Sequence, residues 1–154
     1  MPEPELLALE YAALMHDIGQ LSLRDPIPGG ATVLVSRQDQ QRIAELGADV
    51  IQQAQVLGSV AEIVRRQNEP YRAVDAGLGG SRINGRSAKP SGPPLSSRII
   101  KAANAFDDLV GSSLDPDRAA AAVQRLRLEV ASEYDPTAVE ALSRVVSRRS
   151  VIQM

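Results

Sequence analysis

The chain has 154 residues, 44% hydrophobic and 23% charged, with 17 Lys and Arg against 19 Asp and Glu, one His and no Cys. A net charge of −2 excludes nucleic-acid or anionic-membrane binding by bulk electrostatics, and no apolar run reaches the ~20 residues that span a bilayer. Without Cys there are no disulfides, thiolate metal sites or Cys nucleophiles, and Ser-His-Asp chemistry would need His16 as its base.

A chain of this length suits one domain, taken here as residues 1–154, that buries roughly 70% of its unfolded-chain surface. The start, Met1-Pro2-Glu3-Pro4-Glu5, is acidic where a signal peptide carries basic residues, so a cytoplasmic location is expected. Leu6, Leu7, Leu9, Ala13, Leu14 and Ile18 recur at helical spacing and predict a first helix, with Gly19 as its stop. Asp25 to Gly30 is loop, and Thr32 to Val35 reads as a short strand or an extended lead-in. Ser36 is placed to cap a second helix whose buried stripe is Ile43, Leu46, Val50 and Ile51. Gly47 interrupts it at a cost of about 1 kcal/mol relative to Ala unless close packing needs it. A third helix fits 57–68, with Leu57, Val60, Ile63 and Val64 inward and Pro70 ending it.

Residues 70–94 are rich in Pro and Gly and predict a flexible loop. Arg72, Arg82, Arg86 and Lys89 make that loop basic, either as a solvated insertion or as a flap over an anionic ligand. Leu95, Ile99, Ala103, Phe106 and Val110 then mark a further helix. Asp115-Pro116 and Asp135-Pro136 each give an N-cap acid followed by Pro at the first helical position. The helices they open carry Ala119, Ala122, Val123, Leu126 and Val130, then Val139, Leu142, Val145 and Val146. Five to six helices without a convincing sheet predict an all-α domain.

His16-Asp17 closes the first helix in the string Ala12-Ala13-Leu14-Met15-His16-Asp17-Ile18-Gly19-Gln20. Adjacent helical residues point about 100° apart, yet at a helix end an imidazole nitrogen and a carboxylate oxygen can converge on one cation. The alternative reading is a helix-end His placed near the negative end of the helix dipole.

The wider pattern resembles the HD superfamily of metal-dependent phosphohydrolases, and within it the HD-GYP branch of cyclic-di-GMP phosphodiesterases. Ala12 to Gln20 is similar to that family's aalLHDIGK segment, and Ala44 to Val50 to its HPxxGaxil helix. Ala61 to Glu69 falls where the family has xxIVrHHHE, Leu95 to Leu109 resembles PLxxRIlavaDxFDAL, and Asp135 to Leu142 resembles DPevVeaL. The resemblance implies a helical bundle around a site of two or three metals, held by several His, the HD pair and a later Asp.

Against that pattern the chain has lost most of its ligands. His16 and Asp17 stand as the HD pair, so any metal site here is vestigial and weak. The resemblance places Ile43, Gln67 and Asn68 at positions of ligating His, Asn104 at the later Asp, and Gln20 at the Lys that meets phosphate. The GYP signature is missing, and the helix that supplies another His in the family would lie before Met1. Glu69 and Asp107 remain as carboxylates near the implied site, Asp107 one turn from Asn104; both are also read as solvated or capping acids.

Two ligands leave a cation bound mostly by water, without the Lewis acidity that activates a nucleophile. The resulting expectation is a degenerate HD-GYP-like signalling domain without catalytic residues or cofactor, which binds a protein partner, a second copy of itself or a cyclic dinucleotide. Glu69, Asp107, Arg72, Arg82, Arg86 and Lys89 are its candidate ligand contacts. The alternative is a metal-dependent phosphohydrolase using Fe or Mn, completed by an upstream helix or a second subunit. A pure dimerisation domain is the third reading.

Overall fold

The computed structural model describes residues 1–23, 25, 27, 35–71, 92–112 and 115–152, with side chains to residue 148. Among the described residues six α-helices follow in order: α1 Glu3–Met15, α2 Arg37–Gln52, α3 Gly58–Arg65, α4 Leu95–Val110, α5 Pro116–Arg127 and α6 Pro136–Ile152. Short 3-10 helices lie at Ile18–Ser22 and Gln55–Leu57. Among the described residues the β-type pairing is confined to an isolated bridge between Val130 and Tyr134. The expected all-α class is therefore the observed one, and no described helix is long and apolar enough to cross a membrane. Of the candidate strand Thr32 to Val35, Thr32 to Leu34 lie outside the described residues and Val35 stands in a bend.

The contacts divide the chain into two compact units, Met1–Asn68 with Pro94–Lys101, and Glu69–Pro93 with Ala102–Met154. In the first, Ser36 caps α2 by accepting a hydrogen bond from the Asp39 amide at 3.2 Å. This satisfies one of the N–H groups that a helix start leaves without a partner. Helix α2 packs against both α3 and the 3-10 helix Ile18–Ser22, and α1 packs against α3. The core gathers Ala12, Ala48, Ile51, Val60, Ala61, Ile63, Val64 and Ile100, with Ala8, Leu9, Met15 and Ile18 leaning on it.

Three expected stripes are corrected here, the first that of α2 at Val50, which is exposed. Helix α1 turns Ala8, Leu9, Ala12 and Met15 inward, while Leu6, Leu7, Ala13 and Leu14 are exposed. The small Ala12 takes the core position because it lets the helices approach closely. Helix α4 is rotated from its predicted stripe: Ser96, Ser97, Ile100, Ala102, Ala105 and Val110 are buried, and Leu95 and Ala103 are exposed.

In the second unit α5 packs on α6, burying Ala122, Val123, Leu126, Ala138 and Val139. Val145, expected inward, is exposed. Both expected caps are present. Asp115 Oδ1 accepts from the Asp117 amide at 3.0 Å, and Asp135 Oδ1 accepts from the Thr137 amide and hydroxyl at 2.8 and 2.6 Å. Gly111, with φ of +61°, ends α4 and donates its amide to the Asp107 carbonyl at 2.7 Å. A cleft of about 530 Å³ between α5 and α6 is lined by Val130, Val139, Thr137 and Arg144, with Arg127 engaged on Glu140 at 3.1 Å.

Candidate functional site

Helix α1 ends at Met15, four residues before the predicted stop, and His16 is its C-cap. The His16 Nδ1 lies 2.8 Å from the Ala13 carbonyl. A carbonyl only accepts, so Nδ1 carries the proton and donates. In the neutral ring Nε2 is then a lone pair, and it lies 3.1 Å from Asp17 Oδ2. Two acceptors at that separation require a shared proton or a cation between them. Both side chains are part-exposed, while the Nε2 atom itself is buried.

Gly19 does not stop the helix. It is buried in the following 3-10 helix, and a Cβ there would run into the Ile43 carbonyl oxygen and lie 2.8 Å from the Gly47 nitrogen. A Cβ on Gly47 would in turn meet the Gly19 nitrogen at 3.1 Å. The glycine inside α2 is therefore the close approach that its helix cost anticipated: backbone rests on backbone, and the turn after Asp17 is held against α2. Ile43, 2% exposed, is a fully packed core side chain. An aliphatic group there has nothing to offer a cation.

Helix α3 ends at Arg65, short of the predicted residue 68, which leaves Gln67 and Asn68 in the turn beyond it. The reason lies in their amides. Gln67, 5% exposed, donates Nε2 to the His16 carbonyl at 2.8 Å, and Asn68 donates Nδ2 to the Gln40 carbonyl at 2.8 Å. One ties the end of α1 to the end of α3, the other ties α2 to it. Lys101 donates to the Asn68 carbonyl at 3.3 Å, and the buried Ser97 hydroxyl donates to the Ile63 carbonyl at 2.8 Å. Gln67 Oε1 is buried and has no hydrogen-bond partner among the described residues.

The structure thus brings His16, Asp17 and Gln67 together, with Ile43 against the same turn and Asn68 beside α2. Asn104 and Asp107 lie on α4 within the second unit, Asp107 exposed, and Glu69 belongs to that unit as well. Arg72, Arg82, Arg86 and Lys89 lie outside the described residues. Sequence reasoning overlooked the structural roles of Gly19, Ser97 and Lys101. Only Gly19 had a readable signal, in its pairing with a second glycine inside a helix.

As a metal centre the set fits poorly. His16 and Asp17 offer one nitrogen and one carboxylate, Ile43 offers nothing, and Gln67 adds only the neutral amide oxygen Oε1, its nitrogen being bonded to the His16 carbonyl. Among the described residues no three His, Cys, Asp or Glu side chains cluster, whereas iron or manganese sites draw on more nitrogen and oxygen ligands than this.

In comparison with known proteins, the family model described as the HD domain matches residues 1–138. No curated protein and no solved structure matches the chain.

Proposed function

The chain belongs to the HD-domain family, and from that premise we propose that it is a degenerate, HD-GYP-like signalling module that binds a protein or nucleotide without hydrolysing it. HD domains are associated with metal-dependent phosphohydrolysis, which needs a cation-bound nucleophile and charge stabilisation at phosphorus. The observation that carries the binding reading is what has become of the ligand-bearing turn. Gln67 and Asn68 use their amides to fasten helix ends, and Ile43 fills the core. At the Lys position of the HDIGK-like segment stands the neutral Gln20.

A cyclic dinucleotide is the nucleotide form of this reading, and isothermal titration with cyclic dinucleotides and linear guanine nucleotides tests it. Saturable binding without release of cleaved product is expected; flat titrations assign the module to protein partners. Turnover of bis(p-nitrophenyl) phosphate with millimolar Mn²⁺, abolished by His16→Ala, overturns the binding reading.

One observation favours the alternative of a phosphohydrolase completed by an upstream helix or a second subunit. His16 Nε2 and Asp17 Oδ2 face each other at 3.1 Å, the arrangement that a cation would relieve. Mixing the chain with a segment that supplies further His should then raise its metal affinity through His16.

A further inference from the structure

We propose that the outward face of α1 is a docking surface for a basic amphipathic helix of a partner protein. The proposal names the partner class for the binding reading and rests on it. At 100° per residue, Leu7, Tyr11 and Leu14 fall within about 60° of one another and form one stripe. They are 50%, 42% and 82% exposed, while the opposite side of the same helix, Ala8, Leu9, Ala12 and Met15, is committed to the core. A helix that is apolar on both sides and covered on one is an interface missing its other half.

The charges beside the stripe select the occupant. Glu3 and Glu10, two turns apart, run along one edge of it, while Glu5 lies at the same end but on the other side of the helix. Among the described residues none of the three takes part in an ion pair. From Met1 to Leu23 the chain has Glu3, Glu5, Glu10 and Asp17 and no Lys or Arg. Pairing α1 with α1 of a second copy would therefore set acid against acid, which argues against self-association through this face. A partner helix with apolar residues at i, i+3 or i+4 and i+7, and with Lys or Arg about seven residues apart along its flank, meets both the stripe and its rim.

The test uses the full chain and two synthetic peptides of about five helical turns. One has a Leu stripe flanked by Lys; the other replaces every Lys by Glu. Fluorescence anisotropy should give at least about tenfold tighter binding to the Lys peptide, and Leu14→Ser, an exposed position that leaves the fold intact, should weaken it by about tenfold. The double variant Glu3→Lys, Glu10→Lys should reverse the preference and bind the Glu peptide better. An unreversed preference, or an unaffected Leu14→Ser variant, overturns the proposal. So does a wild-type dimer in sedimentation that Leu14→Ser dissociates, because the face then belongs to a second copy. If neither peptide binds and no phosphodiester is cleaved, the docking surface fails and the binding reading stands. Cleavage overturns the binding reading whatever the peptides do.

Discussion

His16 and Asp17 differ from Ile43, Gln67 and Asn68 in what the fold asks of their side chains. At the first pair Nδ1 donates to the Ala13 carbonyl, and Nε2 and the carboxylate face each other at the end of α1. At the other three positions the fold has taken up the side chain, Ile43 into the core and the two amide nitrogens into bonds with the His16 and Gln40 carbonyls. These three positions carry structural work, so replacing them by imidazole is expected to cost stability. The His16–Asp17 pair lies at a helix end and is expected to carry less of that work.

This contrast can be broken by substitution. Gly19→Ala carries the largest expected effect, because its Cβ would meet the backbone of α2 with no flexible side chain to yield. A loss on the order of 4 kcal/mol is expected, a fall of about 12 °C in melting temperature for a chain of this size. Ile43→Ala should follow with about 3 kcal/mol, the transfer and cavity cost of a packed Ile. Gln67→Ala removes the tie between α1 and α3 and leaves the His16 carbonyl without that donor, for about 2 kcal/mol. His16→Ala should cost less than about 1 kcal/mol, since the Nδ1 hydrogen bond to the Ala13 carbonyl lies in an exposed setting at the end of α1. Thermal or urea unfolding of the four variants reads this order directly. A His16→Ala variant as damaged as Ile43→Ala would erase the contrast between the two groups.

The order of the helices was legible where the chemistry is local. Ser36, Asp115 and Asp135 announce helix starts because the partner of each lies two or three residues away. The inner face of α1 was not legible, because apolar residues occur on every side of it and periodicity then has nothing to choose between. In α4 the buried Ser96 and Ser97 displaced the expected stripe, and the Ser97 hydroxyl is matched only by a carbonyl 34 residues away. At the candidate site the His-Asp pair could be read directly from the sequence. The tasks of Gln67 and Asn68 could not, since their acceptors are backbone groups 51 and 28 residues distant and any amide might have filled the turn. Gly19 was misread for the same reason: its constraint is the α2 backbone, which no local pattern displays.

The central claim is that His16 and Asp17 no longer anchor a metal. Titrating the chain with Mn²⁺ up to millimolar concentration, followed by the electron paramagnetic resonance of the free ion, tests it most directly. The account predicts that wild type and His16→Ala deplete the free-ion signal equally, with no stoichiometric site. One Mn²⁺ bound per chain in the wild type and lost in His16→Ala would contradict it.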